Sequence, residues 1–378
     1  MRSVSPTLFF ATGRSTRSPI GGFPSLWYHG SMIPNDSTIA ENSGAPQEAS
    51  GTRKGRAICM CSGGLDSLLT LCVLREQGVH AEALVFTSPF FAPPSATEKS
   101  CRELGFAVNA VDFTDDIVAL LKAPPSGFGS CLNPCIDCHA RMIQRAWAFA
   151  QEHGFDFVAT GEVLGQRPMS QMRPGMNRVR NLSGVGDHLL RPLCAKLLEE
   201  TAPEREGLVD RSKLLALSGR NRKPQMELAE KYGIREYPTP AGGCKLTEPN
   251  YCRRLKNLME HEGLDDARLL RLLSFGRHFR LPGGSLAILG RNRSDNEFLR
   301  TAMRGGDVTF RSVNVPGPTA LAIRPTDEDL PALRRLIAAY SDHKGIETIV
   351  VREMHTAAKP VEYSLPVASR DEFQPFML

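Results

Sequence analysis

The run Ser62-Gly63-Gly64-Leu65-Asp66-Ser67 stands directly after the apolar run Ala57-Ile58-Cys59-Met60-Cys61, and it constrains the fold more than any other stretch. After it, Leu65, Leu68, Leu69, Cys72 and Val73 recur at helical spacing up to Gln77. The order is a buried strand, a glycine turn, then a helix. A short apolar run of this kind buries both faces in a parallel sheet covered by helices. Gly63 and Gly64 remove the Cβ atoms that would hold an anion away from the backbone, so several N–H groups converge on one phosphate. The helix start adds aligned amides and a partial positive charge. Ser62 and Ser67 offer hydroxyls, and Asp66 suits a phosphate-bound magnesium ion. A bare glycine pair would read as an ordinary turn; the two serines and the aspartate turn the expectation toward ATP.

The rest of the chain supports the same architecture. Strands are predicted over 57–61, 81–86, 107–113 and 156–160, with helices over 65–77, 96–104 and 136–153. That alternation is the pattern of an α/β, doubly wound parallel sheet, whose ligands sit outside the carboxyl ends of its strands. The loop at Ser62, the helix beginning near Cys135, and Thr160-Gly161-Glu162 then share one edge.

The 378 residues include ten cysteines, with no secretory signal and no compact even framework, so reduced thiols and a cytoplasmic chain are expected. Cys135-Ile136-Asp137-Cys138 has the spacing by which two thiolates reach one metal or form a redox disulfide. Gly242-Gly243-Cys244 carries a third thiol on a glycine turn. Three cysteines do not close a Cys₄ zinc site, but they can hold three irons of a 4Fe-4S cluster and leave the fourth open. Zinc and a persulfide dyad remain the other readings. Cys59, Cys61 and Cys72 read as small core residues, and Cys101 and Cys194 as structural. Cys131 and Cys252 are spare ligand candidates.

The loop motif resembles the PP-loop, Ser-Gly-Gly-x-Asp-Ser, of the N-type ATP pyrophosphatases. That resemblance implies cleavage between the α and β phosphates. Cys131-Leu132-Asn133-Pro134-Cys135-Ile136-Asp137-Cys138 is similar to the Asn-Pro-Asp-x-x-Cys region of tRNA 2-thiouridylases, with Cys135 in place of the aspartate. Within those families, Cys-x-x-Cys with a distant cysteine marks the iron-sulfur-dependent thiolases. Thr160-Gly161-Glu162-Val163-Leu164-Gly165-Gln166 resembles a segment of 4-thiouridine synthetases. The resemblance implies ATP-dependent thiolation of a tRNA uridine. Ser62, Gly63, Gly64, Asp66, Ser67, Thr160 and Gly161 would bind ATP and Mg2+. Cys135, Cys138 and Cys244 would hold the cluster and act with Asp66 in catalysis. Sulfide or a separate donor would supply sulfur. A PP-loop ligase or amidotransferase acting on a small molecule, and a non-catalytic RNA-binding metalloprotein, are the alternatives.

Residues 1–55 read as a disordered extension, 56–262 as the ATP domain and 263–378 as a smaller α+β domain. The extension has arginines and no acid before Asp36, as a transit peptide would, but an over-extended start ahead of Met32 is preferred. From Gln166 to Lys223 there are twelve Lys or Arg against six Asp or Glu, read as a mobile basic loop with Arg167, Arg173, Arg178 and Arg180 as RNA contacts. The tail resembles an NFACT-type RNA-binding domain through Gly276-Arg277-His278-Phe279-Arg280-Leu281, Gly290-Arg291-Asn292 and Pro316-Gly317-Pro318. It adds Arg277, Arg280, Arg291 and Arg293, with His278, as RNA candidates. The net charge of +5 is modest, and no stretch is long and apolar enough to span a bilayer. Oligomeric state and the target uridine are left open.

Overall fold

The protein is described from a computed structural model covering residues 54–91, 95–168, 170–237 and 244–378. The reading of 1–53 as disordered, and of the glycine turn before Cys244, lies outside the described residues. Residues 52–378 form one compact unit.

The first half alternates β1 (Arg56–Met60), α1 (Leu65–Glu76), β2 (His80–Thr87), α2 (Ser95–Glu103), β3 (Val108–Asp112), α3 (Thr114–Lys122), α4 (Cys135–Glu152), β4 (Phe157–Thr160), α5 (Arg173–Ser183) and β5 (Leu189–Leu190). The strands pair in parallel in the order β3-β2-β1-β4-β5. Successive residues of β1 point to opposite faces. Ala57 and Cys59 pack with Leu68, Leu69 and Cys72 of α1, whereas Ile58 packs with Ala140, Ile143 and Ala146 of α4. Both faces are therefore dry, which is why this strand reads as a continuous apolar run. Strand order reverses between β1 and β4, and the crevice beyond their carboxyl ends is where an open α/β sheet binds ligands.

A short helix α6 (Ala202–Arg205), then α7 (Lys223–Lys231), α8 (Pro249–His261) and α9 (Ala267–Leu272), lead to the second sheet. It comprises β6 (Arg277–Arg280), β7 (Leu286–Leu289), β8 (Val308–Ser312), β9 (Thr319–Ile323), β10 (Thr348–His355) and β11 (Val361–Pro366), with α10 (Arg293–Thr301) and α11 (Leu330–Tyr340) between them. All neighbours are antiparallel, in the order β11-β10-β8-β9-β7-β6. Alternation again divides the side chains. Ala287 and Leu289 face α11, while Leu286 and Ile288 join Phe90, Phe113, Tyr251 and Leu255 in a cluster shared with the first half.

Four elements named here depart from the sequence reading. The segment expected to be a mobile basic loop is helical over Arg173–Ser183, with Pro174 in its first turn and left-handed Gly184 (φ 68°) ending it. Its buried residues Met176, Val179 and Ser183 dock it beside α4. Strands β9 and β11 and helix α3 were not anticipated: β9 (Thr-Ala-Leu-Ala-Ile) is too short for its period to separate strand from helix. No helix among the described residues is long and apolar enough to cross a membrane.

Candidate functional site

The glycine turn lies at the reversal point of the parallel sheet. Gly63 is left-handed (φ 75°), and a Cβ there would meet the Thr97 hydroxyl of α2 at 2.3 Å. Gly64 precedes α1 with no side-chain cap hydrogen bond, so the helix start keeps free donors for an anion. Ser67 donates to the Gly64 carbonyl at 2.7 Å. Opposite, Gly161 leaves the end of β4 so close that a Cβ would sit 2.6 Å from the Asp66 carbonyl carbon and 2.7 Å from the Ser67 nitrogen. Only a residue without a side chain lets the β4 loop approach the first turn of α1 this way.

Asp66 is held by residues from two other segments. Gln166 donates through Nε2 to Asp66 Oδ2 at 2.7 Å, and Gln225 donates through Nε2 to Gln166 Oε1 at 3.1 Å. Arg222, at the start of α7, brings its guanidinium to 3.8 Å from Asp66 Oδ2. Asp66 Oδ1, Gln225 Oε1 and Arg222 Nε are buried with no hydrogen-bond partner. Orphaned buried polar atoms are costly, and their concentration here is a reason to expect an additional group. The acceptor Asp66 Oδ1 suits magnesium and the donor Arg222 Nε suits a phosphate, so these residues fit ATP with its metal ion.

Beside this lies a buried ion pair. Arg191 donates through Nε to Glu162 Oε2 at 2.8 Å, both side chains being less than a tenth exposed. Thr160 donates its hydroxyl to the same oxygen at 3.1 Å, so that group faces Glu162. His139 Nδ1 stands 3.7 Å from Glu162 Oε1. Burial works to raise the Glu162 carboxyl, but Arg191 and His139 prevail and hold it well below the usual carboxylate range. Through His139 the β4 edge touches the helix that carries the cysteine pair.

Cys135 opens α4, and Cys138 is buried one turn later. Asn133 donates to the Cys135 sulfur at 3.2 Å. Cys244 pairs with Phe91, just beyond β2, and Lys245 donates its amide to the Phe90 carbonyl at 3.0 Å. Burial, then Cys244 and Cys135, push the Cys138 thiol well up. Burial, and more weakly Cys135, push Cys244 up to about 11. The Cys135–Cys138 pair of α4 and Cys244 in the turn beside Phe91 thus come from two segments, and their soft donor chemistry suits an iron-sulfur group. Among the described residues no three His, Cys, Asp or Glu side chains stand close enough to hold a metal ion. Cys252 and Cys131 turn toward the carbonyls of Leu246 and Thr247, at 3.1 and 3.8 Å, in the turn after Cys244.

The arginines read as RNA contacts separate in the structure. Arg167 and Arg277 are exposed, the latter over the Tyr340 ring at 5.7 Å. Arg173 donates to the Leu197 carbonyl at 2.7 Å, Arg178 to Ser126 Oγ at 2.9 Å, and Arg180 lies 3.4 Å from Glu199. Arg291 is paired with Asp295 at 2.8 Å, and the exposed Arg293 with Glu297 at 3.1 Å. Arg280 is an internal brace, bonded to Glu262 at 2.7 and 2.8 Å and to Asn257 at 2.7 and 3.0 Å. His278 is 1% exposed and turns Nε2 to the Leu272 and Phe275 carbonyls, which removes it as a surface contact. Sequence reasoning did not single out Arg222, Gln225, Arg191 or Thr97. Gln166 lay inside a quoted segment but was given no role. The Arg-Asn-Arg-Lys-Pro run before α7 was a usable signal, since a helix start carrying arginine is an anion site in waiting.

Residues 52–199 match the family described as “Thiamine biosynthesis protein (ThiI)”, and residues 276–377 match the “NFACT protein RNA binding domain”. The PP-loop, thiouridine-synthase and NFACT resemblances read from the sequence are met in these two segments. A curated protein of Caldanaerobacter subterraneus subsp. tengcongensis named “Probable tRNA sulfurtransferase” is 30% identical over 120 residues, 30% of each chain. One of the same name from Finegoldia magna is 28% identical over 146 residues, 37% of this chain and 36% of its own. The chain thus spans about a third of the length of the curated relatives it matches. A solved structure described as a 4-thiouridine synthetase–RNA complex with bound ATP is 20% identical, with a TM-score of 0.35, over 57% of this chain and 52% of that one.

Proposed function

We propose that this chain is an ATP-dependent tRNA-uridine sulfurtransferase that works through an adenylylated base. The observation that carries it is the orphaned acceptor Asp66 Oδ1 beside the orphaned donor Arg222 Nε at the reversal point of the parallel sheet. Ser62, the amides after Gly63 and Gly64, and Ser67 hold the phosphates; Asp66 holds Mg2+. Gly161 lets the β4 loop close on them. A uridine carbonyl oxygen attacks the α-phosphate and pyrophosphate leaves, with Arg222 and the loop amides offsetting the charge that develops. Sulfur then displaces AMP from the activated carbon.

Cys135, Cys138 and Cys244 would hold a 4Fe-4S cluster, which would supply sulfur-transfer chemistry there, the sulfur coming as sulfide or from a separate donor. Asn133 orients Cys135 for that role through its 3.2 Å hydrogen bond. The target base must be unpaired or flipped to reach this edge. Exposed Arg167 and Arg277 would meet tRNA phosphates. A cytoplasmic setting accompanies this reading. Residues 56–262 would carry the chemistry and 263–378 the RNA affinity.

The test is nucleoside mass spectrometry of bulk tRNA from cells with and without the gene, complemented by the wild type or by Cys138→Ala. Loss of one thiolated uridine, restored only by the wild type, is the expected result. Survival of every thionucleoside after deletion, with no redundant thiolase present, would overturn the tRNA reading. A small-molecule ligase needs none of the three cysteines, so full activity of Cys244→Ala through product formation would favour it.

A further inference from the structure

Cys61 and Cys101 lie 40 positions apart in sequence, and their sulfurs stand 3.5 Å apart. Cys61 is the last residue before the phosphate loop, and its sulfur lies 3.5 Å from Ser67 Oγ on the far side of that loop. Cys101 is on α2, the helix whose Thr97 abuts Gly63. Cys61 is 4% exposed and Cys101 is fully enclosed. A disulfide needs its sulfurs at about 2.05 Å, so closing this pair ties α2 covalently to the residue that precedes the loop. Gly63 has no slack on that side, because a Cβ there would already meet Thr97 at 2.3 Å.

The two sulfurs share a hydrogen bond that either can donate. Cys101, and more weakly Ser67 and the Gly63 backbone, bring Cys61 down to about 7 against the effect of burial. Cys61, then burial, push Cys101 far up. One partner is therefore poised as the attacking thiolate and the other as the resolving thiol.

We infer that Cys61 and Cys101 form a reversible disulfide whose closure disables the nucleotide loop, a modification site driven by peroxide. The Cys61 thiolate attacks one oxygen of hydrogen peroxide, the O–O bond breaks, and hydroxide leaves a sulfenic acid on Cys61. The Cys101 sulfur then attacks that sulfur, and the hydroxyl departs. Water forms from it with the Cys101 proton, and two thiols have been oxidised by one peroxide. A dithiol reverses the change by exchange. This disulfide is distinct from any oxidation at Cys135, Cys138 and Cys244. Its functional consequence rests on reading the glycine turn as the ATP site.

The experiment treats the full chain with hydrogen peroxide, digests it without reduction, and measures ATP binding by equilibrium dialysis in parallel. The expected result is a peptide pair linked through Cys61 and Cys101, a loss of ATP affinity of about tenfold or more, and recovery with dithiothreitol. Cys101→Ala and the bulkier Cys101→Val should bind ATP as the untreated wild type does and resist peroxide. ATP binding is read in place of thiolation because damage at the other three cysteines would abolish only the latter. Absence of the linked pair, unchanged ATP affinity once the pair has formed, or equal peroxide sensitivity in both variants would overturn the inference. Failure of the untreated chain to bind ATP would sink the nucleotide-site reading instead, since peptide linkage is measured independently of binding.

Discussion

Replacing Gly161 by alanine tests whether the β4 loop and the phosphate turn are held together by the absence of one methyl group. An ideal Cβ at Gly161 would lie 2.6 Å from the Asp66 carbonyl carbon, 2.7 Å from its oxygen and 2.7 Å from the Ser67 nitrogen. All three are backbone atoms, so no rotamer change relieves the overlap. Ordinary contact begins near 3.4 Å, which requires the first turn of α1 to move by about 0.8 Å. Overpacking of this kind costs about 1–3 kcal/mol. A misplacement approaching 1 Å at a reacting group costs about 100-fold in rate. Gly161→Ala should therefore lower the unfolding free energy in urea by about 1–3 kcal/mol. It should cut ATP-dependent pyrophosphate release by about 100-fold. Gly184→Ala is the control: its φ of 68° strains the backbone, but no atom lies within 4 Å of the new Cβ. It should cost about 1–2 kcal/mol and leave pyrophosphate release unchanged. Wild-type release by Gly161→Ala, or an equal loss in Gly184→Ala, would refute the argument.

Glu162→Gln leaves Arg191 buried without its charge partner, and a cost of about 3–5 kcal/mol is expected from chemical denaturation. The Glu162 carboxyl is held below its unfolded value, so its stabilisation is complete above the unfolded carboxylate range near pH 4.3 and is lost as pH falls below it. The variant's unfolding midpoint should fall less steeply than the wild type's in that acid window, and parallel curves would count against the pair. Burial, then Arg254, lower the His278 imidazole from 6.5 to about 3. The unfolded chain therefore binds the proton first, and stability is full above pH 6.5 and declines as pH falls toward 3; His278→Gln should flatten that limb, read from urea midpoints against pH. Arg280→Ala uncouples α8 from β6 by freeing Glu262 and Asn257. Its effect should appear as lost stability with tRNA affinity in a filter-binding assay unchanged, whereas loss of affinity without loss of stability would restore Arg280 as an RNA contact.

The glycine turn was legible in the sequence because everything it needs is local: a left-handed glycine at 63, hydroxyls at 62 and 67, and a helix starting at Leu65. The parallel sheet was legible for the same reason, since residues buried on both faces write themselves as short apolar runs. Helix α5 was hidden by its composition, because only Met176, Val179 and Ser183 touch the interior and the rest reads as basic loop. Nothing local says that Asp66 will meet Gln166, 100 positions away, or that Gln166 will meet Gln225, another 59 on. Nor does local pattern reveal that Cys61 faces Cys101, or that Glu262 occupies Arg280 while Arg277 stays exposed. Backbone conformation and periodicity are properties of neighbours along the chain. Which charges and thiols share a dry pocket depends on where folding excludes water, and only the packed sheets and helices settle that.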